Sequence, residues 1–465
     1  MTKPQTVGAL RSSGYQVLPI KEEMRKNMVD RLRTNEPLFP GIIGYDQTVI
    51  PQIENAVLSG QDIIFLGERG QAKTRIARSL VTLLDDEVPV VAGCEINDNP
   101  YAPICARCRQ LAAELGEELP IAWLPRDARY GEKLATPDIT IADLIGEIDP
   151  IKVAEGRYLS DEQTIHYGLV PRTNRGIFVI NELPDLAERI QVGLLNILEE
   201  RDVQIRGYKV RLPLDVYLVA SANPEDYTNR GRIITPLKDR VGSQIRTHYP
   251  RTIEHEISIM EQERSVYNIQ GVELTVPGYM KEIVAELTHL ARKHPDISQR
   301  SGVSVRVSVS NYENLLSNAV KRAIRLGERQ AAPRVSDLDA LITSTAGKIE
   351  IEAVGDARED KVLTKLLQGA VSAVFNRHFT VHEFDDLLTR FHNGMNLEAS
   401  DAMPSMEYVH QVSEVKALKT ALSKLGAQGN PAVAASAVEF VLEGLHLNRR
   451  LNKDKSAAGA LLYHR

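Results

Sequence analysis

The stretch that most constrains this chain is DIIFLGERGQAKT, residues 62–74. Asp62 to Leu66 is a short apolar run rich in β-branched residues and reads as a buried strand. The turn GERGQA comes next. From Lys73 to Leu84 apolar residues then recur at helical spacing: Ile76, Ala77, Leu80, Leu83 and Leu84. Strand, glycine-rich loop and helix, in that order, let backbone N–H groups curl around phosphate oxygens. Gly67, Lys73 and Thr74 fit the phosphate-loop spacing, but Ala72 stands where a second glycine is expected. Gly67 and Gly70 supply backbone freedom. Lys73 would reach the β- and γ-phosphates, and Thr74 would ligate Mg²⁺. Glu68, Arg69, Gln71 and Arg75 complete the segment. Ala72 can serve if its φ is negative. The competing reading of these residues alone is a strand-to-helix turn with an incidental Lys-Thr pair.

Further apolar runs occur at VPVVAG (88–93), GIFVI (176–180) and VYLVAS (216–221). Short buried strands alternating with helices imply an α/β fold, a parallel sheet covered on both faces. GIFVI ends at Asn181 and Glu182. A phosphate-loop ATPase needs a buried strand that ends in an acid for the Mg²⁺ shell and a Glu to polarise water. Asn181 keeps an acceptor oxygen but lacks the charge; Glu182 is where a base is needed. Asn223, after VYLVAS, sits at the strand end where open α/β sheets bind ligands and could orient water or sense phosphate. RDVQIRGYKVRL (201–212) reads as a β-hairpin. From Thr252 onward helical spacing dominates. The expected organisation is a polar, partly ordered segment 1–35, an α/β core 36–250, a helical lid 251–349 and an all-helical extension 350–465. The last residues, 448–465, read as a mildly basic, solvated tail.

Composition narrows the function. The 465 residues carry 56 Lys+Arg against 62 Asp+Glu, a net charge of −6, which excludes a generally basic nucleic-acid surface. One Trp, 15 Tyr and 8 Phe leave little for base stacking. No run approaches the ~18 apolar residues of a membrane span, and the N-terminus lacks the apolar core of a signal peptide. Three cysteines exclude a disulfide scaffold and fit a reducing cytoplasm. Cys94, Cys105 and Cys108 place a CxxC beside a third Cys, a candidate thiolate Zn²⁺ site. No fourth ligand is evident, and buried or redox-active cysteines are the alternatives.

Together these segments resemble the AAA+ ATPases, and within them the ATPase subunit of magnesium chelatase, with the MoxR-type ATPases as near relatives. The resemblance covers roughly residues 38–345. FPGIIGYDQTV (39–49) resembles the adenine-side box, which would put Ile43, Gly44 and Tyr45 near the base. GERGQAKT resembles Walker A, GIFVINELPDL resembles Walker B apart from Asn181, and SANPED (221–226) resembles sensor 1. LKDR (237–240) resembles the arginine-finger segment, making Arg240 the finger. SGVSVR (301–306) resembles the approach to sensor 2, with Arg306 as first candidate and Arg300 as second. PDITIADLIGEIDP (137–150) resembles the segment that introduces a helix-2 insert, and the long step from Thr74 to Asn181 leaves room for one around Asp127 to Leu169. The resemblance implies a P-loop AAA+ core with ATP and Mg²⁺, and a finger acting in trans within a ring, a hexamer. It further implies a partner bearing a von Willebrand A-type domain and metal insertion into a tetrapyrrole. The alternatives are a MoxR-like chaperone, a nucleotide-gated scaffold with little turnover, favoured by Asn181 and Ala72, and a small-molecule P-loop kinase.

Overall fold

In the first unit, Met1–His248, inner strands too short for helices and too apolar to face water collect in one sheet. The computed structural model describes residues 3–149, 151, 154, 164–199, 212–224, 232–265, 269–298, 302–351, 356–412, 415–455 and 460–465. The unit opens with α1 (Val7–Ser12), α2 (Ile20–Thr34), α3 (Val49–Leu58), β1 (Ile63–Leu66) and α4 (Lys73–Ser79), which continues as a 3-10 turn to Leu83. Then come β2 (Glu87–Val91), α5 (Ala106–Leu115), β3 (Ile121–Pro125) and β4 (Tyr130–Leu134). After them lie β5 (Gly146–Ile148), β6 (Ile165–Tyr167), β7 (Gly176–Asn181), β8 (Val216–Ala222) and β9 (Ser243–Arg246).

The central sheet has the order β4-β7-β8-β1-β9 and every neighbouring pair is parallel. Side chains alternate along the inner strands. Ile63, Phe65, Ile177, Val179, Tyr217 and Val219 point into a core shared with α2, α3 and α4. Ile64, Phe178, Ile180, Leu218 and Ala220 point the other way, toward Ile190 and Leu194 of the helix Glu188–Glu199. Both faces are therefore covered, as the apolar runs predict. Each fully buried Ile, Val, Leu or Phe contributes about 1.5–3 kcal/mol against exposure.

Several expectations are corrected. VPVVAG does not join the central sheet: β2 pairs antiparallel with β3. Pro89 has no N–H for a ladder, which suits a two-stranded edge. The insert does not begin at Asp127, because β4 is an edge strand of the sheet. The segment beyond β4 includes the antiparallel β5–β6 pair. The hairpin expected at 201–212 lies outside the described residues except for Leu212. Residues 1–35 are not a loose segment. Leu10, Ile20, Met24 and Met28 are fully buried, and Arg129, 1% exposed, meets the Glu23 carboxylate with bonds of 2.7 and 2.6 Å.

The second unit, Tyr249–Arg465, is mostly helical. Its longest helices are Val305–Leu326, Asp356–His378 and Pro431–Leu447. Residues from both the lid and the extension segments build one core, including Tyr279, Leu315, Phe375 and Phe440. The extension is not all-helical. Residues 397–399, 452–455 and 461–464 form a three-stranded antiparallel sheet. The C-terminal stretch is accordingly no solvated tail: Tyr463 is buried and donates to Glu443 at 2.6 Å. Among the described residues no helix is long and apolar enough to cross a membrane.

The Arg129–Glu23 pair gives the first prediction. Glu23→Ala leaves a buried guanidinium without its counter-charge and should destabilise the first unit by about 3–5 kcal/mol. Chemical unfolding tracked by signals from that unit would measure it; a midpoint equal to wild type would contradict the buried pair's role.

Candidate active site

The site grows from the end of β1. At Gly67 an added Cβ would lie 1.9 Å from Thr247 Oγ1 and 2.3 Å from Gln71 Oε1, so no side chain fits. Gly70 has φ 76°, the left-handed region open to glycine. Ala72 also has positive φ, 57°. The expectation of negative φ there is therefore wrong. The loop keeps the backbone shape of a glycine-bearing phosphate loop and holds an L side chain in it, at a cost of about 1–2 kcal/mol. The loop is clamped from outside. Tyr45 is buried, and its hydroxyl donates toward Gln71 O at 3.0 Å and His248 O at 2.7 Å. Burial pushes its phenol up to about 12, so it remains a neutral donor. Thr247 Oγ1 donates to Gln71 Oε1 at 2.6 Å. Tyr45 thus meets the site through its hydroxyl, with its ring edge-on to His248; Ile43 and Gly44 beside it are half-buried.

Lys73 is 7% exposed, and its ammonium donates to Gly67 O and, at 2.8 Å, to Glu68 O. Its charge is therefore held inside the loop, where phosphate oxygens would be cradled. Arg69 and Arg75 lie toward the outside of the loop, both exposed. Thr74 Oγ1 donates to Asn181 Oδ1 at 3.2 Å. That bond joins the loop to the end of β7, as two halves of one site require. Ser221 Oγ donates to the same Oδ1 at 3.1 Å and accepts from the Glu182 N–H at 3.3 Å. Glu182 is half-buried, with φ 55°. A bulky residue in the left-handed region at a strand end is strain of the kind that collects at functional sites.

Asn181 uses its other end as well. Nδ2 donates to Glu132 Oε1 at 2.7 Å, from the neighbouring strand β4. Arg78 makes a two-pronged pair with Glu132 at 2.8 and 3.1 Å, and the Tyr130 hydroxyl donates to it at 2.9 Å. Burial alone would raise the Glu132 pKa, but the bonds from Arg78, Tyr130 and Asn181 and the Arg78 charge outweigh it and hold the carboxyl below its usual value. Glu132 is therefore an ionised carboxylate one hydrogen bond from the position where the sequence lacks an acid.

Asn223 is 1% exposed and its Oδ1 is buried without a hydrogen-bond partner among the described residues. A buried carbonyl in that condition is costly unless a ligand or water uses it. Beside the loop lies a cleft of about 410 Å³, lined among others by Gly67, Glu68, Gln71, Pro224, Lys238 and Arg246. Lys238 and Arg246 bring positive charge to its lining. Arg240, at the end of the helix Thr235–Arg240, is exposed and paired with Asp239 at 3.2 Å. Arg306 is exposed in the first turn of its helix in the second unit; Arg300 lies outside the described residues. Cys94, Cys105 and Cys108 converge elsewhere in the first unit.

Of the residues expected from the sequence, the structure brings together the loop, Asn181 and Glu182. It adds Glu132 and Thr247, with Lys238 and Arg246 in the cleft, none of which the sequence reading named as site residues. YGEKL does not alternate cleanly or read as apolar, so nothing in it announces an edge strand.

Comparison with known proteins finds the following similarities. The profile of the sigma-54 interaction domain matches residues 153–241. The chain is 25% identical over 303 residues to the magnesium-chelatase 38 kDa subunit of Acidiphilium rubrum, covering 62% of this chain and 78% of that protein. It is 25% identical over 334 residues to the magnesium-chelatase subunit ChlI of a Nostoc species, covering 66% and 82%. A chain from the cryo-EM-based complex of subunits BchI and BchD of magnesium chelatase aligns over 70% of this chain and 98% of its own, with 19% identity and a TM-score of 0.36.

The strained Ala72 gives the second prediction. Ala72→Gly should relieve the left-handed strain, partly offset by backbone entropy, for a net gain of up to about 1 kcal/mol. Denaturant titration reads it directly, and a clear loss of stability would contradict the conformation described.

Proposed function

We propose that this AAA+ ATPase of the magnesium-chelatase group is the motor of a closed ring, a hexamer, in which ATP hydrolysis remodels a partner subunit. The observation that carries the reading is the Thr74–Asn181 bond of 3.2 Å, which makes the loop and the end of β7 one site with Glu182 next in the chain. The donors suit a hard cation: a hydroxyl and an amide oxygen, with an ionised carboxylate adjoining. Thr74 and Asn181 would hold Mg²⁺, which when bound supplies Lewis-acid stabilisation of phosphate charge. Lys73 neutralises β- and γ-phosphate charge, and the loop amides orient the chain of phosphates. Glu182 accepts a proton from the attacking water, and Asn223 orients that water through its carbonyl, which has no partner among the described residues. Arg240 reaches a neighbour's γ-phosphate from an exposed position, and Arg306 couples that phosphate to the second unit. A finger in trans makes each contact heterologous, and a heterologous contact that closes gives a ring. The partner is a protein with a von Willebrand A-type domain, and the work done is metal insertion into a tetrapyrrole.

Asn181, with Ala72, is what favours the low-turnover scaffold. The Glu132 bond answers it, because the missing charge is present one strand away.

Glu182→Gln should lower kcat about 100-fold or more while ATP still binds; equal turnover would remove Glu182 from its role. Capture of partners on that ATP-locked variant tests the motor reading, and absence of any A-domain protein would count against it. Glu132→Gln should raise the Mg²⁺ concentration needed for half-maximal ATPase several-fold, with little change in nucleotide affinity measured without Mg²⁺. An unchanged Mg²⁺ titration would contradict the part assigned to Glu132.

A further inference from the structure

We infer that Cys94, Asp98, Cys105 and Cys108 form a closed zinc site that staples the loop between β2 and α5. Their four ligand atoms lie within 4.8 Å of one another. The sequence showed three thiols and no fourth ligand. The structure supplies it from within the same loop.

Asp98 is the telling residue. It is 0% exposed. Its Oδ2 accepts from the Cys105 N–H at 3.0 Å, while its Oδ1 is buried with no hydrogen-bond partner among the described residues. A carboxylate oxygen buried without a partner is strongly unfavourable, and a cation held among three thiolates would offset that cost. Two of the three sulfurs accept from backbone N–H groups. The Asp98 N–H points at Cys94 Sγ at 3.4 Å, and the Cys108 N–H at Cys105 Sγ at 3.3 Å. Such donors stabilise thiolate rather than thiol. All three cysteines are free.

Three sulfurs and one oxygen in a compact, mostly buried set select a tetrahedral, borderline-soft ion, which is Zn²⁺. Four protein ligands leave no open position, so the site is structural. On binding, the thiol protons pass to water.

The placement explains the need. Residues 92–105 form neither helix nor strand, and loops this long without secondary structure are uncommon in compact domains. Cys94 stands near its start, Cys105 caps α5 and Cys108 lies in the first turn of that helix. Cys105 and Cys108 also belong to the core that holds Val7 and Leu10 of α1 and Leu119 and Ile121. The ion would thus fix the loop, α5 and the N-terminal helix together.

The test uses the full chain purified without chelator. Elemental analysis should find close to one zinc per chain. Cobalt exchanged into the site should show the ligand-field and thiolate charge-transfer absorption of a tetrahedral ion. Asp98→Asn, which keeps the shape, should weaken zinc at least about tenfold in competition with a chromogenic chelator. Zinc far below one per chain, with none taken up on titration, overturns the site. So does a Cys105–Cys108 disulfide in fresh protein, or an iron chromophore in place of zinc. Asp98→Asn binding zinc as tightly as wild type overturns the fourth ligand. Should that variant fail to fold, the metal content and cobalt spectrum of the wild type still decide. None of these readings depends on ATP turnover.

Discussion

The site rests on the side chain of Asn181. Its oxygen accepts from Thr74 and Ser221 and its nitrogen donates to Glu132, so one amide joins α4, β8, β7 and β4. A carboxylate at this position could accept but not donate, and it would face Glu132 across 2.7 Å as a like charge. Asn181 and Glu132 are therefore one arrangement. The acid expected at the end of β7 has moved one strand sideways, and the amide is what lets it sit there. Hydrogen bonds to charged groups contribute about 1.5–3 kcal/mol each, so this link and the Arg78 pair fix the edge strand β4 to the loop that would carry phosphate.

Around that hub the backbone is held in shapes it would not choose. Ala72 and Glu182 both have left-handed φ, one in the loop and one at the strand end. Strain of this size persists only where the surroundings over-determine it. Here β7 and β8 are buried along their whole lengths, and Tyr45 and Thr247 hold the loop from its outer side. The sheet thus offsets the strain, and the strained residues define where a nucleotide and its attacking water would meet.

The inner part of the fold was legible because it is apolar. GIFVI and VYLVAS are continuous hydrophobic runs, and such runs have few places to go except the middle of a parallel sheet. The edges were not. YGEKL and SQIR are half-exposed strands whose assignment depends on partners far away in the chain, and VPVVAG is apolar yet pairs outside the sheet. Of the site, residues at fixed steps along the strand–loop–helix segment or at a strand end could be placed from spacing, as Gly67, Lys73, Thr74 and Glu182 were. Glu132 and Asp98 could not, because their meaning comes from what the fold sets beside them. The same holds for the conformation of Ala72: its identity was visible, its positive φ was not.

The proposed Mg²⁺ position turns on where the negative charge resides, on Glu132 or at position 181. A Mg²⁺ titration of ATPase rate decides it, run on Asn181→Asp alone and combined with Glu132→Gln. With the charge on Glu132, Asn181→Asp alone is impaired, because two carboxylates crowd one place. The double variant then recovers toward wild type, because the charge has only been relocated. If Asn181→Asp alone matches or exceeds wild type and adding Glu132→Gln changes nothing, the charge is not on Glu132.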